Sequence, residues 1–368
     1  MRLDRLTLQN WRNYEEQTAE FSPGCNVIVG ENAQGKTNLL EAVQYLSRAR
    51  SNRAAAEREL VRFGADEARL DAELFSRDRV FRVEARLSRT RRRRITVNQV
   101  PVRRAGELGD VLGTVYFCPE DLLLIREGAA ARRRFMDQAL CALRPRYAAA
   151  LSDYNRLLEN KTRILRDSGD HPALLDALPE FNAGLVGAGA VLIHFRARFC
   201  ARLADYAAAA HRECSGGREE LALRYETVGT VEDPFASLAE LRGRLTEHME
   251  GRLHAELASR LCLSGPHKDD IAVEIGGEAA RRFSSQGQTR TAALAMKLAE
   301  REIYQEITGQ TPVLLLDDVL SELDPRRQEF VLNRIAGGQV FITCCEEDRL
   351  GSLAAGRVLR VEKGRILE

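Results

Sequence analysis

The sequence predicts an α/β protein: a head domain built on a mixed sheet, interrupted by an inserted α-helical domain. Three observations carry that prediction. First, a mostly apolar run, Cys25-Asn26-Val27-Ile28-Val29, ends at the glycine-rich segment Gly30 to Thr37, and helical spacing follows it. Second, residues 70–102 and 270–361 both contain short runs of strand character. Third, between about Pro119 and Leu261 helix formers dominate, and strand-like alternation is confined to Glu220–Tyr225. The expected division is a discontinuous head, residues 1–118 and 262–368, around a helical domain at 119–261.

In chain order, Leu3, Leu6, Leu8 and Trp11 predict an edge strand and a bend before Arg12-Asn13-Tyr14. Thr37 to Leu46 predicts a helix with Leu39, Leu40, Val43 and Leu46 on one face. Alternation from Leu70 to Val102 predicts hairpins with one buried face. Pro145–Arg166 and Phe181–Ala210 carry Ala, Leu and Arg at helical spacing, with Pro145 suited to a first turn. Sustained heptads are not evident, so several packed helices are expected rather than one long coiled coil. Asp270–Ile275 then reads as a strand before a Gly276-Gly277 turn, and Thr289–Thr308 as a helix. Pro312–Leu316 reads as a buried parallel strand, Arg326–Ala336 as a helix, and Gln339–Thr343 and Arg357–Val361 as strands.

Composition limits the function classes. Hydrophobic content of 44% supports a real core, and 55 Lys+Arg against 54 Asp+Glu leave a net charge of +1. Any nucleic-acid surface must therefore be local. The eight cysteines show no C-x-x-C spacing and form no metal-ligand cluster with the six histidines. Reduced, mostly buried thiols in an intracellular protein are expected. No apolar run near 18 residues and no signal-peptide core are apparent, so the expectation is a cytoplasmic protein with no membrane segment.

Gly30-Glu31-Asn32-Ala33-Gln34-Gly35-Lys36-Thr37 fits G-x-x-x-x-G-K-[ST]. In that setting the backbone N–H groups of the turn and the positive end of the following helix converge on an anion. Gly30 and Gly35 permit the backbone angles and close approach that a side chain would block. Lys36 is placed to reach the β- and γ-phosphates of ATP, and Thr37 to hold Mg²⁺. The second motif is Val313-Leu314-Leu315-Leu316-Asp317-Asp318, an apolar strand delivering acids at its end. Asp317 is the candidate Mg²⁺ ligand, and Asp318 the candidate base that orients water. Asp318 and Lys36 are thus the candidate catalytic groups. Arg12, just before the loop, is placed to reach phosphate. Tyr14 is placed near a bound nucleotide, although Trp11 and Tyr14 suit a core equally well.

The third motif, Ser284-Ser285-Gln286-Gly287-Gln288, precedes a long helix and makes a second phosphate-binding N-terminus. One chain has no need of two such sites for one γ-phosphate, whereas two facing chains do. Ser285 to Gln288 resembles the signature of ABC-type ATPases, and Ser321-Glu322-Leu323-Asp324 resembles their D-loop.

Nearly end to end, the chain resembles the RecF family of bacterial recombination mediators, relatives of SMC-type heads. The resemblance rests on Asn10–Tyr14, Gly30–Ala42, Pro119–Leu122, Arg132–Asp137, Ser264–Asp270, Ser285–Arg290 and Leu316–Asp324. It implies an ATP-dependent homodimer that clamps double-stranded or gapped DNA at single-strand/double-strand junctions. It also implies work with RecR and RecO to load RecA, and slow, DNA-dependent ATP hydrolysis that serves release. The alternative is the ATPase subunit of a membrane transporter. Against it stands Thr343-Cys344-Cys345, where transporter-type ABC ATPases carry a histidine.

From Arg86 to Arg104 there are eight arginines and no acid, with Arg91, Arg92, Arg93 and Arg94 at an expected hairpin turn. Such a cluster suits the DNA backbone, and the lack of interleaved aromatics points away from base reading. A second cluster, Arg126 with Arg132–Arg134, fits pairing with acids of the helical domain better than a DNA surface.

Overall fold

The computed structural model describes residues 1–104, 106–335, 337–345 and 356–367. In chain order its strands are β1 (Arg2–Trp11), β2 (Tyr14–Glu20), β3 (Cys25–Val29), β4 (Glu67–Ser76), β5 (Arg79–Ser88), β6 (Arg94–Val97), β7 (Val100–Pro101), β8 (Thr114–Phe117), β9 (Leu221–Glu226), β10 (Asp270–Ile275), β11 (Glu278–Ala279), β12 (Val313–Asp317), β13 (Val340–Cys344), β14 (Arg357–Glu362) and β15 (Arg365–Leu367). Its α-helices are α1 (Lys36–Arg48), α2 (Gly106–Gly109), α3 (Ala129–Leu143), α4 (Pro145–Asp167), α5 (Leu178–Ser215), α6 (Leu238–Ser259), α7 (Ala280–Phe283), α8 (Gln286–Thr308) and α9 (Pro325–Arg334). Two compact units result, Met1–Leu122 with Glu300–Glu368, and Leu123–Ala299.

The first unit contains two sheets. One is antiparallel, in the order β2-β1-β4-β5-β6-β7. The other, β15-β14-β3-β13-β12-β8, is parallel except for the edge strand β15. Leu6, Leu70 and Val83 of the first sheet share one core with α1 and with Ile28, Leu315 and Phe341 of the second. Lodged in this core, α1 is buried at every position from Leu39 to Ser47. The one apolar face expected from sequence is thereby corrected. A helix enclosed on all sides has no solvent face, so its polar residues need partners. Glu41 is met by Arg12 and Ser51, and Ser47 by Thr114.

β1 is also not the expected edge strand, because it lies between β2 and β4. Its leucines break the period of two between Leu3 and Leu6. A register shift at Leu3/Arg5 absorbs the extra residue and keeps both side chains in the core.

In the second unit, helices pack around a small sheet ordered β11-β10-β9. The sequence boundary at 261 is too early. Residues 262–299 stay with this unit because β10 pairs along its length with β9, from Asp270↔Glu226 to Ile275↔Leu221. Side chains reinforce the pairing. Arg132, 4% exposed, holds both Asp270 oxygens at 2.7 and 2.8 Å. Arg196 of α5 bonds Asp137, the Pro266 carbonyl and Asp269. Arg132 is therefore structural.

The stretch Pro172–Ser215 is long and apolar enough to cross a membrane by length and composition, contrary to the sequence expectation. In this fold Leu185, Ala190, Leu192, Ile193, Ala197 and Leu203 of α5 are buried in the unit's interior. The expectation of mostly buried thiols also changes. Cys200, Cys214 and Cys262 are buried, Cys345 is exposed, and the other four are intermediate.

Candidate functional site

The carboxyl ends of parallel strands form the site, as expected for ligand positions in open α/β sheets. The loop 30–37 leaves β3, which lies between β13 and β14. At Gly30 an added Cβ would sit 2.3 Å from the Val361 carbonyl oxygen, so only glycine fits. Gly35 has φ +124° and Ala33 has φ 64°. Left-handed residues let a loop turn tightly, and such turns are where backbone N–H groups can gather to form an anion-binding concavity. No side chain caps the start of α1, and its first turn carries no acid. Its first N–H groups are thus available to an anion. Lys36, 6% exposed, donates to the carbonyls of Gly30 at 2.5 Å and Glu31 at 3.0 Å.

Two motifs meet here across 280 residues of chain. Thr37 Oγ1 donates to Asp317 Oδ1 at 2.9 Å. β12 delivers Asp317 from within the parallel sheet, leaving it 5% exposed. Thr343 Oγ1 also donates to Oδ1 at 2.9 Å, and Tyr116 OH to Oδ2 at 2.6 Å. Burial, with the adjacent Asp317 charge, keeps the Tyr116 phenol protonated. Tyr116 and Thr343 were not anticipated from sequence, because their strands neighbour β12 only through the sheet order. Among the described residues no group of three or more His, Cys, Asp or Glu could hold a metal. One carboxylate beside one hydroxyl nevertheless suits Mg²⁺, which keeps several waters and takes phosphate oxygens as further ligands.

Asp318 takes φ 54°, and its N–H donates to Thr343 Oγ1 at 2.8 Å. Ser321 Oγ lies 2.7 Å from the Asp318 carbonyl and 3.1 Å from its carboxylate. Asp324 caps α9 by accepting from the Arg327 N–H at 3.1 Å, a structural use of the last D-loop residue.

Arg12 is engaged away from the loop's concavity. It binds both oxygens of Glu41 at 2.8 and 2.7 Å and the Glu59 carbonyl at 3.0 Å, tying the β1–β2 turn to α1. Trp11 and Tyr14 are both core residues, the first touching α1 and the second the loop. Each is fully buried, Trp11 Nε1 donates to the Asn38 carbonyl at 2.9 Å, and Tyr14 OH donates to that of Gly35 at 3.0 Å.

Ser285, Gln286, Gly287 and Gln288 lie in the second unit, at the start of α8. Ser285 and Gln288 cap each other. Ser285 Oγ accepts from the Gln288 N–H at 3.2 Å, and Gln288 Oε1 accepts from the Ser285 N–H at 2.7 Å. The Gln288 amide also donates to Glu219 at 3.0 Å, which commits that side chain to structure. Ser285 is exposed, and its role as acceptor leaves its own hydroxyl proton for a ligand.

The arginine cluster is less uniform than its sequence. Arg93 donates to the Ala49 carbonyl at the end of α1 and pairs with Glu57, so it braces the fold. Arg89 donates to the carbonyls of Val61, Arg62 and Ala65, and Arg86 pairs with Glu84. Arg91, Arg92 and Arg94 are exposed and have no ion pair among the described residues.

A phosphate loop and a strand-borne acid at the carboxyl ends of one parallel sheet define a P-loop nucleotide-binding head, and the family match that follows makes it one of ABC type. Residues 2–365 match the family described as the RecF/RecN/SMC N terminal domain. The chain belongs to the RecF family. It is similar to the DNA replication and repair protein RecF of Lachnoclostridium phytofermentans, 37% identical over 365 residues and covering 98% of each chain. The RecF of Symbiobacterium thermophilum is 38% identical over 371 residues, covering 100% of this chain and 98% of that one. A solved structure of the recombination mediator protein RecF with ATPrS in the RecFOR pathway superposes with TM-score 0.92 at 32% identity, over 99% of this chain and 97% of that one. An Smc head domain from Pyrococcus furiosus shares the fold, with TM-score 0.56 at 15% identity, over 99% and 95% of the two chains. The transporter alternative is not favoured by these relatives.

Proposed function

We propose that the chain is an ATP-switched DNA-binding protein of recombinational repair, acting in the cytoplasm as an ATP-dependent homodimer. The observation that carries this reading is the Thr37–Asp317 hydrogen bond, which joins the phosphate loop to the strand-borne acid. The N–H groups of residues 30–37 would cradle the phosphates of ATP, and Lys36 would turn from the loop carbonyls to the β- and γ-phosphates. Thr37 and Asp317 would hold Mg²⁺, which supplies neutralisation of the phosphate charge. Asp318 would orient the attacking water. Ser285, with its free hydroxyl proton, would close over the nucleotide of the second copy. Slow hydrolysis would then release DNA held at gaps or single-strand/double-strand junctions, where RecR and RecO promote RecA loading. The solved RecF–ATP and RecF–ATPrS relatives support the nucleotide assignment.

Sizing the protein with and without ATP, and with and without gapped DNA, tests the reading. ATP-dependent dimers that bind DNA are expected; ATP binding without dimers would overturn it. Ser285→Arg should bind ATP at wild-type affinity yet stay monomeric, because its side chain fills the space needed by the partner's γ-phosphate. A dimer formed by this variant removes the trans-site argument.

DNA contact is assigned to Arg91, Arg92 and Arg94, with Arg93 as their brace. Replacing the first three with Ala should flatten the slope of log affinity against log salt by about 2–3, since each phosphate contact contributes about 0.9. An unchanged slope places DNA elsewhere.

A further inference from the structure

The Asn13 side chain touches the phosphate loop, yet nothing in the proposed chemistry uses it. Its Nδ2 donates to the Gln34 carbonyl at 2.8 Å, and its Oδ1 accepts from Asn38 Nδ2 at 2.9 Å. The amide orientation is unambiguous, because a backbone carbonyl only accepts. The Gln34 carbonyl receives a second bond, from the Gly364 N–H at 2.9 Å, in the turn between β14 and β15. In the same turn the Lys363 N–H donates to Gln34 Oε1 at 2.6 Å. The next carbonyl, Gly35, accepts from Tyr14 OH. Two consecutive loop carbonyls are therefore held by donors from the first hairpin, and one of them also by the last.

Peptide planarity makes this grip consequential. Each C=O is rigidly antiparallel to the N–H of the same peptide unit. Holding the carbonyls of Gln34 and Gly35 toward Asn13, Tyr14 and Gly364 points the N–H groups of Gly35 and Lys36 the opposite way. Donors fixed before the ligand arrives need no reorganisation on binding.

We propose that Asn13 is a positioning residue of the phosphate loop. With the Gly364 turn, it sets the loop's N–H groups for the nucleotide phosphate that ATP and ADP share. The inference rests on the reading of this loop as an ATP site. Both ends of the chain take part, so the loop is correctly formed only when the two hairpins are docked. Gly364 is constrained accordingly: φ is +72°, and an added Cβ would lie 2.3 Å from the Asn13 carbonyl oxygen.

The test is calorimetric titration of full-length wild type, Asn13→Asp and Gly364→Ala with MgATP and with MgADP, alongside steady-state hydrolysis. Asn13→Asp retains the acceptor for Asn38 but sets a carboxylate oxygen against the Gln34 carbonyl. ATP and ADP affinities should both fall about tenfold, the cost of one lost hydrogen bond and an opposed acceptor. KM should rise by a larger factor than kcat falls. Gly364→Ala sets a Cβ against the Asn13 carbonyl and so displaces the Gly364 N–H from the Gln34 carbonyl; it should lower both affinities too. Wild-type affinities in Asn13→Asp overturn the proposal, as does a loss for ATP but not ADP, which would indicate a γ-phosphate contact. Absence of nucleotide binding in the wild type instead overturns the ATP reading beneath it.

Discussion

Lys161→Met is expected to destabilise the protein by about 3–5 kcal/mol, the range for breaking one side of a buried ion pair. Lys161 Nζ lies 2.7 Å from Glu256 Oε2, and both side chains are fully buried. Glu256 also accepts from the N–H groups of Leu263 at 2.7 Å and Ser264 at 3.2 Å through its other oxygen. The carboxylate thus pins the chain after α6, just ahead of the turn at Pro266. Methionine matches the lysine stem but leaves a buried, uncompensated negative charge. Adding Glu256→Gln removes that charge and keeps an oxygen for the two N–H groups. The double variant should recover most of the loss, measured by denaturant unfolding. Equal losses in the single and double variants would show that packing, not charge, holds this junction.

Asp317→Asn is expected to weaken MgATP binding at least about a hundredfold while changing metal-free ATP binding much less. Exchanging supporting groups around a metal already costs 10–100-fold. Here the charged group proposed to hold the metal is itself lost. The amide also fits its neighbours poorly. Both carboxylate oxygens now accept from hydroxyls, those of Thr37 and Thr343 at one and Tyr116 at the other. Asparagine offers one acceptor and turns an NH₂ toward the remaining hydroxyl. Titration of ATP with and without Mg²⁺ reads the difference. Unchanged magnesium dependence in the variant removes Asp317 as the metal ligand.

The parts of the site that sequence revealed are those whose chemistry is local. Gly30, Gly35, Lys36 and Thr37 are legible because a glycine-rich turn between strand and helix has one strong use. Asp317 is legible because a buried strand of five residues ends on it. Asn13, Tyr116, Thr343 and Gly364 were missed because each reaches the site through a neighbouring strand or hairpin, and no spacing in the chain encodes that. Arg12 and Arg93 went astray for a related reason. An arginine near a phosphate loop, or in a run of four, reads as available until the fold supplies Glu41 or Glu57. The boundary at 261 erred because β9 and β10 are too distant in sequence for their pairing to be visible.

By itself the sequence determined the α/β class, the order of strands and helices around the phosphate loop, and the three nucleotide-type motifs. Backbone propensity, side-chain period and turn chemistry act over a few residues, so they are written locally. Only the tertiary structure decided that Thr37 meets Asp317, that α1 is enclosed on every side, and that Arg91, Arg92 and Arg94 are exposed with no ion pair among the described residues while Arg93 pairs with Glu57. It also decided that the loop opened by Gly30 is gripped by the hairpins nearest both ends of the chain. Those outcomes depend on which groups burial and hydrogen bonding bring within about 3 Å, and that distance is set by the whole fold rather than by neighbours in the chain.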